Sequence, residues 1–202
     1  MIPTIHPVAT LLVTRDEPWP PELAEILARR GVTSARLFFL REGILRAGEP
    51  LPTPVVATER VHCAHSAQQL GLTPPPGSTP GGLFSLGAMI RESDLVLSLP
   101  RLHAPDQPSP PGPRRIALAV PPLPGDPWRE ETLRLAAGLL GARHAITLLL
   151  APGDGGAFSP EAQPWLELIH ALKGRWLLPP PPPPGETWTP ALPADGDLLL
   201  EG

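Results

Sequence analysis

The chain has 202 residues, 42% of them hydrophobic and 18% charged, with a formal net charge of −4. This balance supplies a buried core and, with no long run of like charge, excludes a polybasic nucleic-acid glove or membrane anchor. Its longest apolar stretches fall far short of the roughly 20 residues of a membrane span, and the N-terminus lacks a signal-peptide pattern, so a cytoplasmic protein is expected.

The 33 prolines and 19 glycines make up about a quarter of the chain, close to the range of low-complexity sequences. Their positions point the other way. Windows 22–49, 55–73, 81–99, 128–151 and 165–178 are free of proline and hold most of the Leu, Ile, Val and Ala. The prolines therefore punctuate ordered elements.

Residues 8–14, VATLLVT, form the continuous apolar run of a strand covered on both faces. RDEPWPP is a loop, and ELAEILARR a helix with Leu23, Ile26 and Leu27 at helical spacing, stopped by Gly31. ARLFFL (35–40) is a second strand closed by a turn at Arg41–Gly43. VVA and ERVHC (59–63) bring a short third strand to Cys63, and residues 64–70 read as a two-turn helix ended by Gly71. TPPPGSTPGG is a loop, 83–93 a helix, and LVLSL (95–99) a fourth strand. Alternating strands and helices define a parallel α/β class.

Residues 101–113 are rich in proline and lack periodicity, so they are the expected linker between a first domain, 1–100, and a second, 114–202. Beyond them RIALAV (115–120) is a strand, REETLRLAAGLLG a helix, and HAITLLL (144–150) a strand ending in APGDGG. DEPW (16–19) is echoed by GDPW (125–128), and SDLVL (93–97) by GDLLL (196–200). A diverged tandem duplication accounts for these echoes, with a second copy that is reduced. Its strand GRWLL (174–178) runs into six prolines, 179–184, which cannot form a helix interior.

Four segments together resemble the DsrE/TusD branch of the sulfur-relay proteins. These are the opening strand with its polar proline loop, FFLREGILRAG (38–48), VHCAHSAQQLGL (61–72) and LFSLGAMIRESDLVLSL (83–99). The second half is similar, more faintly, to the DsrF/TusC branch. The resemblance implies two tandem flavodoxin-like units with mainly parallel sheets, fused in one chain. It also implies a persulfide carrier that accepts sulfane sulfur on Cys63 and passes it to an acceptor thiol. No dissociable cofactor is implied, the partners are donor and acceptor proteins of a relay, and the family assembles as hexamers, so three copies of a fused chain are expected. His62, His65 and the Pro-rich 73–82 loop depart from the family pattern.

As the only cysteine, Cys63 cannot form an internal disulfide or a Cys-based zinc site; it is either buried filler or the chemistry. At a strand's carboxyl end and a helix start it sits where open α/β sheets bind ligands, and a thiolate is favoured there. His62 and His65 flank it, with the 41–43 turn, including Glu42 and Gly43, and the 73–82 loop bordering the site; a histidine would help hold Cys63 ionised. A zinc site built on the three flanking residues is disfavoured because residues 62 and 63 point apart, and no metal is expected.

PGDGG (152–156) lacks the phosphate-loop patterns and reads as a turn, and nothing marks Lys173 as a Schiff-base amine. Trp19 and Trp128 are expected to plug the rims of the two cores. The alternative function is a non-catalytic assembly or docking subunit of a relay complex. A nucleotide- or small-molecule-binding module rests on fold alone.

Overall fold

The computed structural model describes residues 7–99, 102, 110–121, 126–152, 158–178, 180, 182–183 and 188–201. The chain divides into two compact units, Met1–Gly112 and Pro113–Gly202. The proposed linker therefore lies largely outside the described residues.

The first unit contains β1 (Val8–Val13), α1 (Leu23–Arg29), β2 (Ser34–Phe39), a 3-10 helix (Arg41–Arg46), β3 (Val56–Cys63), α2 (Ala64–Leu70), β4 (Thr79–Gly81), α3 (Leu83–Glu92) and β5 (Leu95–Leu99). The strands are ordered β4-β3-β2-β1-β5, and every neighbouring pair is parallel. Helices cover both faces. Ala9, Leu11 and Val13 pack with Leu37, Phe39, Leu95, Leu97 and Leu99 against Leu23 and Leu27 of α1. On the opposite face the Thr10 hydroxyl meets the Met89 carbonyl of α3 at 3.2 Å, and Leu86 and Ile90 are fully buried. The alternation of strand side chains thus serves two apolar layers at once.

Several boundaries differ from the sequence expectation. All of VVA but Val55 joins ERVHC in one continuous strand, with a register shift between Ala35 and Arg36 absorbing the polar stretch. The expected turn at 41–43 is the first half of the 3-10 helix. Within the Pro-rich loop, Thr79–Gly81 pairs with Val61–Cys63 as a short edge strand, a position that tolerates Pro80.

The second unit contains β6 (Arg115–Ala119), α4 (Pro127–Gly141), β7 (Ala145–Leu149), a 3-10 turn (Pro160–Ala162), α5 (Gln163–Ala171), β8 (Arg175–Leu177) and β9 (Leu198–Glu201). Its parallel strands are ordered β8-β7-β6-β9. Helix α4 is capped by the Asp126 carboxylate, which accepts the Trp128 amide at 2.8 Å. α5 escapes the sequence reading because its apolar face is short and two prolines stand at its start.

The two units wind in the same sense: the second and third strands flank the first on one side, and the last strand flanks it on the other. This differs from the flavodoxin order, 2-1-3-4-5, so the topological switch points lie between β1 and β5 and between β6 and β9. The ends of α1 and α4 also coincide in detail. Val32 donates to the Leu27 carbonyl at 3.0 Å and His144 to the Leu139 carbonyl at 3.0 Å, around left-handed residues Gly31 (φ +66°) and Arg143 (φ +69°). Among the described residues no helix follows β8 before β9, where the first unit has α2 and α3.

Candidate functional site

Cys63 is the last residue of β3 and, with extended backbone (φ −69°, ψ 111°), the N-cap of α2. The helix ends at left-handed Gly71, as the sequence predicts. Within β3, Phe38 pairs with Val61 and Phe39 with His62. Since strand side chains alternate, Val61 and Cys63 lie on the α3 face and His62 on the α1 face. Adjacent residues 62 and 63 therefore point apart.

The expected reactive cysteine is completely buried, at 0% exposure. Backbone pairing places Cys63 opposite Gly81 of β4. A Cβ added at Gly81 would lie 2.3 Å from Val61 Cγ1 and 3.3 Å from Ser85 Oγ, so the junction of β4 and α3 closes tightly over this face. Only glycine permits that approach.

His62 is 7% exposed, and its Nδ1 lies 3.0 Å from Ser78 Oγ. The Ser78 hydroxyl donates its single proton to the Pro75 carbonyl at 3.1 Å, so it accepts from His62 Nδ1–H. Burial pushes the His62 pKa below its ordinary value, which keeps the ring neutral. His62 thus lies on the face opposite Cys63, where it donates to Ser78 and ties down the Pro-rich loop, and its burial works against a positive charge. His65, on the first turn of α2, is exposed. Because His62 belongs to a strand, the two imidazoles do not share a helical turn. Among the described residues no group of three or more His, Cys, Asp or Glu side chains is placed to hold a metal.

Glu42 and Gly43 lie in the 3-10 helix, which packs against β3 and α2. Gly43 is pressed onto the end of β1, where an added Cβ would lie 2.3 Å from the Val13 carbonyl oxygen. Glu42 accepts from Arg41 Nη2 at 3.0 Å, and Arg41 itself is left-handed at φ +55°. The ends of β1, β3 and β4 and the 3-10 helix after β2 thus lie at the carboxyl edge of the sheet, but Cys63 stands two strands from the switch point between β1 and β5.

Two features at this edge go beyond the sequence reading. Within the 73–82 loop, composition does not single out Ser78 or Gly81. Arg46 stacks its guanidinium 5.0 Å from the centre of the partly buried Trp19 ring and pairs with Glu49, giving the tryptophan a partner the DEPW motif alone does not specify.

In the second unit Leu149 pairs with Leu177 as Phe38 pairs with Val61, so His62 and Cys63 correspond in sequence to Leu178 and the proline after it. That proline lies outside the described residues, as does most of PGDGG (152–156). A cleft of about 60 Å³ opens at the opposite, amino edge of this sheet, bordered by Arg115, Arg175 and Asp195; Arg175 pairs with Asp195 at 3.2 Å and Arg115 with Asp197 at 3.3 Å.

The chain matches no protein-family model, no curated protein and no solved structure. Fold and site define an α/β protein of two parallel-sheet units, with a buried thiol at the carboxyl edge of the first. Among the described residues no helix is long and apolar enough to cross a membrane.

Proposed function

We propose that the chain is a sulfur-relay protein, with the first unit as the carrier and the second as a diverged copy that has lost the thiol. The single observation carrying this reading is the position of Cys63 at the β3–α2 junction, on the carboxyl edge of a parallel sheet, within the segment that resembles the DsrE/TusD branch. The shared strand order and the matched ends of α1 and α4 support descent by duplication.

In the relay, the Cys63 thiolate attacks the outer sulfur of a donor persulfide. A new S–S bond forms as the donor's own S–S bond breaks, and the donor thiolate leaves with the electron pair. An acceptor thiolate then attacks the outer sulfur of the Cys63 persulfide and releases the Cys63 thiolate. No net oxidant or reductant is consumed. Three copies of the chain, giving six α/β units, complete the assembly.

The test is intact mass after incubation with a low-molecular-weight persulfide. Gain of one sulfur atom, absent in Cys63→Ala and in alkylated protein, supports the relay. No gain, even in mild denaturant that exposes the thiol, overturns it.

A second reading, a non-catalytic docking subunit, is favoured by the complete burial of Cys63. A buried cysteine packs as a small apolar side chain. Failure of the mass test would leave this reading.

A further inference from the structure

We propose that residues 75–82 form a strap that closes over Cys63, and that His62 is the positioning residue that latches it. This rests on the relay reading for its purpose, and on separate observations for its existence.

Backbone pairing and side-chain hydrogen bonds tie the strap down. Thr79–Gly81 pairs with Val61–Cys63 at the outer edge of the sheet, where among the described residues β4 has no further neighbour. The Thr79 hydroxyl donates to the Arg60 carbonyl at 3.3 Å. The chain His62 Nδ1–H to Ser78 Oγ–H to the Pro75 carbonyl ties the middle of the strap to β3 from the opposite face. At its start, Pro75 rests near Gly48, where an added Cβ would lie 3.1 Å from the proline ring. Thr79 and Pro80 are themselves exposed, so little apolar burial secures the segment.

Glycines stand on both sides of β4: Gly77 is left-handed at φ +92°, and a Cβ added at Gly82 would meet nothing within 4 Å, so the backbone has room to turn at both. A three-residue edge strand with two exposed residues belongs to the low-stability end of a fold and opens without global unfolding. Opening it frees the edge of β3 from Val61 to Cys63, the residues now opposite Thr79–Gly81. The tertiary structure thereby reconciles a thiol at 0% exposure with a role in transfer: Cys63 reacts from the open form, and closure shields it between transfers.

The experiment follows native-state alkylation of Cys63 by a neutral maleimide at several low urea concentrations, a readout that requires no sulfur transfer. Wild type should react far more slowly than a free thiol, with a rate nearly independent of urea. Ser78→Ala and His62→Leu should each speed the reaction about fivefold to tenfold, the factor expected from one lost hydrogen bond. His62→Asn, whose amide donates from the Nδ1 position, should restore slow labelling. The proposal is overturned if Ser78→Ala and His62→Leu label at the wild-type rate, if His62→Asn behaves as His62→Leu, or if the wild-type rate rises as steeply with urea as global unfolding does. Should His62→Leu misfold, Ser78→Ala on the half-buried loop decides alone. Because labelling and sulfur uptake are separate measurements, a strap that opens on a thiol that takes up no sulfur refutes the relay and leaves the strap standing.

Discussion

Val8 and Asp94 are joined twice: the Val8 amide donates to the Asp94 carboxylate at 2.8 Å, and the Asp94 amide donates to the Val8 carbonyl at 2.9 Å. Arg115 and Asp197 repeat the arrangement at 2.8 and 2.7 Å in the second unit. Each aspartate locks the last strand of its sheet to the start of the first. The DLVL and DLLL segments therefore share a physical device as well as a pattern of letters.

Asp94→Ala and Asp197→Ala should each cost about 1–2 kcal/mol, the loss of a charge-assisted hydrogen bond to a strand amide. Burial works to raise the Asp197 pKa, but the amide and guanidinium of Arg115 and the charge of Arg114 hold it below its ordinary value. Its stabilisation is therefore present above the ordinary carboxylate range and lost as pH falls through the folded value. Urea unfolding of wild type and Asp197→Asn across acid pH checks both sign and size.

His62 has the opposite origin, for burial alone depresses its pKa from 6.5. Between that value and the lower folded one, the unfolded chain binds more protons than the native chain, so stability rises with pH. The first unit should be fully stable with respect to this group above about pH 6.5 and should lose stability as pH falls through the folded value. The same slope measured in His62→Asn should be flatter. An unchanged slope would assign the pH dependence to other groups.

Cys63→Ser should block sulfur uptake and also weaken the fold by about 1–3 kcal/mol, because a hydroxyl replaces a thiol at a fully buried position. On the reading of Cys63 as the reactive thiol, sequence alone leads one to expect the serine variant to keep its fold. Cys63→Ala keeps the site apolar and should unfold at higher urea than the serine variant. Equal stability of Cys63→Ser and wild type would indicate that the site is wet.

Gly43→Ala should destabilise the first unit by about 1–3 kcal/mol or prevent its folding, since the new methyl would lie 2.3 Å from the Val13 oxygen and 2.7 Å from its carbon. Both are backbone atoms at the end of a central strand and have no room to yield. Gly31→Ala, with no atom within 4 Å of the added carbon, should cost only the strain of its left-handed φ of +66°. Parallel urea titrations of the two variants separate steric clash from backbone strain.

The sequence by itself determined the parallel α/β class, most strand positions, the extent of α2 and the placement of Cys63 at its start. These follow from local signals: apolar runs covered on both faces, helical spacing of Leu and Ile, and glycine at helix ends. The tertiary structure alone decided strand order, and with it the distance of Cys63 from the switch point between β1 and β5. It alone also decided that Thr79–Gly81 is a strand, that His62 is a neutral latch on Ser78, and that the thiol is covered. None of these is encoded within a few residues of the group concerned. Ser78 lies 16 positions from His62, and Gly81, which pairs with Cys63, stands on an edge strand that only the assembled sheet creates.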